Sequence, residues 1–270
     1  MQALPVHRLL TLDDAVVGWA VRQRLRLPLV GPAATCAYLF ASATRACGVA
    51  LSPGVEHAHS CCKGPQVRRH NLLRDWLRDK IRECGLLAER EQAVPELGIR
   101  AEGAAQLIAD VRVTSRPVVA TKYYDVVFAT PTHCRAGGWV GDQCGAAAAR
   151  AEQAKRRAYI PGPGGQPVHL VPFAVETGGR FGPAAEAELM WLAKSRTAAA
   201  GGDPCMSGDS DATARAVVLA RWRQEASCVA LRGNWMVVMG ATGHLSTSPC
   251  PGRAGRRHVP PLHVRVSSFF

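Results

Sequence analysis

Aromatic residues are scarce in this sequence, at 6% of 270 residues. Proteins that grip unpaired bases do so largely by stacking them on aromatic side chains, so a base-stacking platform is disfavoured. Acidic charge is also in short supply: 21 Asp and Glu stand against 33 Lys and Arg, for a net charge of +12 and a pI near 9.6. An anionic partner follows from that balance, nucleic acid before a membrane surface. Arginine dominates the basic set, and its planar fork suits phosphate better than lysine does.

Long apolar runs are missing as well. The nearest candidate, LPLVGPAATCAYLFASA, is interrupted by Pro28 and Pro32 and lies behind Asp13 and Asp14. It is expected to be a buried segment rather than a membrane span or a signal peptide. No internal repeat is present. Hydrophobic content of 47% with 20% charge describes a globular chain, long enough for a substantial core.

The ten cysteines follow no disulfide-scaffold pattern. A reducing, intracellular setting is expected, nuclear in keeping with a DNA partner. One cluster stands apart, ACGVALSPGVEHAHSCC, which gathers Cys47, His57, His59, Cys61 and Cys62 across a Gly/Pro turn. Thiolates and imidazoles so grouped suit tetrahedral Zn2+. Paired CxxC knuckles are absent, and the spacing is C-x9-H-x3-C. Cys47, His57 and Cys61 are the expected ligands, with the fourth left among Cys62, His59 and Cys36. The competing reading is a turn with buried cysteines.

The pattern divides the chain into a poorly patterned lead-in (1–45), the Cys/His element (46–66), an α/β region (67–240) and a basic, disordered tail (241–270). RRHNLLRDWLRDKIRECG has apolar residues at helical spacing, with Asn71 as a possible cap and Gly85 after the last turn. LLAEREQAV, AQLIADVRVTS and TKYYDVVFATP read as strands. GAAAARAEQAKRRAY is a helix, VHLVPFAVETGG a strand and PAAEAELMWLAKSR a helix. Residues 198–212 read as a loop, followed by a helix running into a last apolar segment.

Two of those strands carry an acid in an apolar setting, Asp110 in LIADVRV and Asp125 in YYDVVFA. A carboxylate there is costly unless it is paired or holds a cation. Consecutive strands can bring both acids to one end of the sheet. On the following helix, Glu152, Lys155 and Tyr159 fall at i, i+3 and i+7, on one face. Paired carboxylates near a lysine suit Mg2+ or Mn2+ and phosphodiester hydrolysis: the metal polarises the phosphate and lowers the pKa of the attacking water. The plainer readings are a structural Asp in a strand and a Glu152–Lys155 or Glu152–Arg156 surface pair.

The pieces GVEHAHSC, RRHNLLRDWL, ADVRV, YYDVVFATP, AEQAKRRAY, VPFAVETGG and ASCVALRGNWMVV, in that order, resemble a PD-(D/E)XK (restriction-endonuclease-like) domain, of the kind at the C-terminal end of reverse-transcriptase-like retroelement proteins. The resemblance implies a helix, three strands, a helix and a strand behind a Cys/His element. It implies Asp110 and Asp125 as the metal-binding acids, with Mg2+ or Mn2+ as cofactor and Zn2+ in the Cys/His element. In DVV, Val127 stands where the family's motif has lysine. Some members supply that lysine from the next helix, which Lys155 would do, with Tyr159 a turn further on. Arg68, Arg69, His70, Arg156 and Arg157 would flank the site and contact DNA (or RNA). No membrane and no small-molecule cofactor are expected. The expected function is metal-dependent DNA cleavage. Its rivals are a non-catalytic nucleic-acid-binding module and a basic protein docked on a ribonucleoprotein.

Overall fold

A computed structural model of the chain describes residues 10–25, 27–39, 46–61, 66–97, 107–114, 121–131, 145–162, 164–199 and 208–243. Their elements are α1 (Asp14–Arg24), α2 (Glu56–Ser60), α3 (Gln66–Glu83), β1 (Leu87–Ala93), β2 (Ile108–Thr114), β3 (Thr121–Ala129), α4 (Ala146–Ala158), β4 (His169–Glu176), α5 (Pro183–Ala199) and α6 (Gly208–Ala241). The protein is a mixed α/β fold. Most of the loop at 132–145, and the tail from 244 onward, lie outside the described residues.

The four strands form one mixed sheet in the order β1-β2-β3-β4. The first three are antiparallel, while β4 runs parallel to β3. A parallel neighbour needs a crossover, and α4 provides it. Alternation along β3 assigns its side chains to two faces. Tyr124 and Val126 join the main core with α3, α5 and α6. Tyr123 lies in a smaller cluster with Tyr159, just past α4, and Leu170.

In α3, Leu73, Trp76, Leu77 and Ile81 recur at helical spacing and are all buried. Each contributes about 1.5–3 kcal/mol by leaving water. The helix begins at Gln66, so Asn71 is an interior residue and not its cap. Gly85, at φ +77°, adopts the left-handed conformation that ends the helix.

A second core joins α1, the segment around Cys36 and Tyr38, α2 and the end of α6. The lead-in and the Cys/His element thus share one interior. Helix α1 escaped the sequence reading because Val17 and Val21, apolar but exposed, blur the buried stripe of Val16, Trp19 and Ala20. Helix α6 absorbs both the end of the expected loop and the last apolar segment. It spans both cores, with Trp222, Ala226 and Val229 in one and Val237, Val238 and Ala241 in the other. Burial on different faces along its length blurs the helical period. Among the described residues, no helix is long and apolar enough to cross a membrane.

Candidate functional site

The Cys/His element is built by a short antiparallel pairing followed by a helical turn. Backbone bonds Cys36 N–Val49 O, Gly48 N–Cys36 O and Cys47 N–Tyr38 O bring Cys36 beside Cys47. Gly48, at φ +71°, turns the chain after Cys47. Helix α2 carries His57, and Cys61 follows at its C-cap, one turn later on the same side. The ligand atoms of Cys36, Cys47, His57 and Cys61 all lie within 4.8 Å of one another.

The distances match the chemistry. Cys36 Sγ is 3.8 Å from Cys61 Sγ, and Cys47 Sγ is 3.4 Å from His57 Nε2. Tetrahedral zinc with ordinary bond lengths spaces two sulfurs by about 3.8 Å, and sulfur and nitrogen by about 3.6 Å. Burial pushes the Cys36 thiol up to about 12, and the neighbouring Cys61 and Cys47 add to the rise. Three crowded thiols ionise together only when a cation compensates them, as a metal does on displacing their protons. The cluster can hold a metal such as zinc, with Cys36 in the fourth position. Of the other two candidates for that place, Cys62 lies outside the described residues. His59 is turned away: its Nδ1 meets Arg69 Nη1 at 3.3 Å. Burial, and then the Arg69 charge, lower the His59 imidazole to about 3, so it is neutral.

The second site lies where β2 and β3 pair. The pairing ends with Val111 opposite Tyr124, and Asp110 and Asp125 are the residues just beyond that pair. Asp110 Oδ1 is 2.8 Å from His70 Nε2 on α3, and its Oδ2 accepts the Val126 N–H at 2.7 Å. Asp125 Oδ1 is 2.8 Å from Lys155 Nζ on α4. The two carboxyls are close enough to influence one another. Burial works to raise Asp110, but His70, Val126 and Asp125 together hold it below the usual carboxylate range. Asp125 is raised, first by burial and then by the Asp110 charge, against the opposing pull of Lys155 and Tyr159. That asymmetry is the signature of two acids in one site.

Tyr159 is buried beside them, its hydroxyl 3.3 Å from the Ile108 carbonyl. Glu152 does not join the group, although it shares the sequence spacing. Its carboxylate accepts the Ala184 N–H at 3.1 and 3.0 Å and the Ala185 N–H at 3.2 Å, at the start of α5. Glu152 is therefore a helix cap, as Glu176 is for α4 through the Ala148 N–H at 3.4 Å. The expectation of Glu152 as a catalytic carboxylate is corrected accordingly.

The arginines separate in the same way. Arg156 and Arg157 are exposed on α4, and Arg68 is half-buried on α3. Arg69 is buried, bonded to His59 and Asn234, and offers no surface to phosphate. It leaves the set of expected nucleic-acid contacts. His70 is half-buried and is held by Asp110. The sequence reading missed both the His70–Asp110 bond and the interior role of Arg69, because nothing local in RRHN separates an inward from an outward guanidinium.

No protein-family model matches this chain, and no curated protein matches it significantly.

Proposed function

We propose that this protein is a metal-dependent phosphodiesterase acting on DNA, with a restriction-endonuclease-like core of retroelement type behind a zinc-type Cys/His element. The observation that carries the reading is that Asp110 and Asp125 lie close together at the end of the β2–β3 pairing, with Lys155 2.8 Å from Asp125. The run of elements from α3 to β4, helix, three strands, helix and strand, is the order that the family resemblance implies.

Asp110 and Asp125 would supply oxygen ligands to Mg2+ or Mn2+, which would polarise the scissile phosphate and activate water. Lys155 would stabilise charge on the phosphate once the metal takes over its partner Asp125. Tyr159 would hold Asp125 in place from the end of α4. Arg156 and Arg157, exposed on the same helix, together with Arg68, would grip the backbone by charge and not by base.

One observation favours a second reading. Each acid already has a basic partner, His70 for Asp110 and Lys155 for Asp125. A retired nuclease that binds DNA without cutting would keep such pairs for stability. Titration with Mn2+, followed by electron paramagnetic resonance, separates the two. The nuclease reading expects saturable binding that Asp110→Asn and Asp125→Asn each weaken by tenfold or more, within the range of about 10–100-fold for a disturbed metal site. Binding unchanged by either substitution, or no binding at all, leaves only the second reading.

A further inference from the structure

Arg69 is a buried cation that no acid balances among the described residues. It is 3% exposed. Its Nη1 donates to His59 Nδ1 at 3.3 Å and to Asn234 Oδ1 at 3.0 Å, and its Nη2 to the His59 carbonyl at 3.3 Å. The guanidinium carbon lies 4.6 Å from the centre of the Phe128 ring. Every one of these partners is neutral. The Arg69 Nε is buried with no hydrogen-bond partner. A charge in that setting is strongly disfavoured unless an opposite charge lies near.

The zinc-type element offers such a charge. Three thiolates and a neutral imidazole around Zn2+ leave the centre one unit negative. His57 and Cys61, two of its four ligands, flank His59, whose ring and carbonyl both accept from Arg69. The guanidinium therefore reaches the metal loop from behind, through the residue between two ligands.

Arg69 also fixes a second neighbourhood. Gly233 on α6 abuts it: a Cβ there would lie 2.6 Å from Arg69 Cγ and 3.2 Å from its Cα. The lack of a side chain at Gly233 is what allows α3 and α6 to approach at this point. Asn234 passes the contact on, donating to the Thr177 carbonyl at 2.6 Å, just past β4. The next residue along α3 is His70, which holds Asp110 at 2.8 Å.

We propose that Arg69 is a positioning residue: its guanidinium balances the zinc-loaded Cys36, Cys47, His57 and Cys61 centre and, by locking the start of α3, sets His70 against Asp110. This rests on the zinc reading of the cluster and, for its second half, on Asp110 and Asp125 as a metal-holding pair. Zinc and Arg69 are then linked: each stabilises the fold more when the other is present. Removing zinc also loosens the carboxylate pair.

The test uses the full chain as wild type, Arg69→Met, Arg69→Lys and Asn234→Asp. Zinc affinity is measured by competition with a chromophoric chelator, and melting temperature with and without zinc. Arg69→Met is expected to weaken zinc about 10–100-fold, the range for loss of an outer-shell partner. Arg69→Lys keeps the charge and recovers most of the affinity. Asn234→Asp places an acid beside Arg69, so the rise in melting temperature on adding zinc shrinks; this variant decides the matter if Arg69→Met does not fold. Wild type stripped of zinc is expected to bind Mn2+ several-fold more weakly.

Equal zinc affinity in Arg69→Met and wild type overturns the proposal, as does an undiminished zinc response in Asn234→Asp. A wild type that binds no zinc overturns it together with the zinc reading. Zinc-loaded wild type that binds no Mn2+ removes the nuclease reading and the His70 half, while the zinc comparison still decides the charge-balancing half.

Discussion

Asp110 and Asp125 are neighbours at the end of the β2–β3 pairing, each the next residue beyond the Val111–Tyr124 pair. Their basic partners come from two different helices, His70 from α3 and Lys155 from α4. Asp110 is held down and Asp125 is pushed up. A divalent cation bound by both would compete with Lys155 for Asp125 and with His70 for Asp110.

The fourth position of the Cys/His centre separates two cysteines that sequence spacing could not. Cys36→Ser is expected to lower zinc content well below one per chain, while Cys62→Ser leaves it intact. Metal analysis of the two purified variants checks this. Retention of zinc in Cys36→Ser together with its loss in Cys62→Ser would assign the fourth ligand to Cys62.

Glu152 is expected to behave as a cap and not as a catalytic group. Glu152→Ala removes an acceptor from the first turn of α5 and should cost about 0.5–2 kcal/mol in chemical denaturation. Mn2+ affinity should stay at the wild-type value. A marked loss of Mn2+ binding without loss of stability would return Glu152 to the site.

Binding to duplex DNA should fall steeply with salt. Each phosphate contact contributes roughly 0.9 to the slope of log affinity against log salt. Arg156→Glu with Arg157→Glu should flatten that slope by about 2 if both contact phosphate. Fluorescence anisotropy over a salt series measures it, and an unchanged slope would move the contact surface off α4.

Glu225 makes part of the fold sensitive to acid. Its carboxylate is fully buried and lies 2.7 Å from Lys80 Nζ and 2.9 Å from Arg221 Nε. Burial pushes its carboxyl up, but the bonds from Lys80 and Arg221 outweigh it, so the folded value lies below the usual glutamate range. The unfolded state therefore takes up the proton first as pH falls. The stabilisation is present above the unfolded value and is lost as pH drops through the folded one. Glu225→Gln should flatten the acid limb of stability against pH. It should also lower stability near neutrality, because Lys80 loses one of its two acid partners and keeps only Glu83. An acid limb identical to wild type would contradict this.

The sequence carried much of the fold where one local rule sufficed. Asp110 and Asp125 stood out because an acid inside an apolar strand is unusual, and Lys155 because it shares a helix face with Glu152 and Tyr159 and stands where the resemblance implies a lysine. Glu152 misled because i, i+3 spacing predicts a shared helix face but not which neighbour that face meets. The N–H groups opening α5 lie more than thirty residues further along the chain. Arg69 and Arg68 are indistinguishable as text; Gly233 and Asn234, far off in sequence, decide that Arg69 turns inward. The registry that brings Cys36 to Cys47 rests on backbone bonds that no residue pattern announces.

Nicking of supercoiled plasmid, measured at saturating protein, tests the central claim most directly. Wild type should nick in Mg2+ or Mn2+ and not in EDTA. Asp110→Asn should abolish nicking at unchanged or higher DNA occupancy, and Lys155→Met should slow it roughly 10²–10³-fold, the scale of one electrostatic stabiliser. Nicking by Asp110→Asn at the wild-type rate, or a metal-loaded wild type that occupies the DNA and never cuts it, would contradict the assignment.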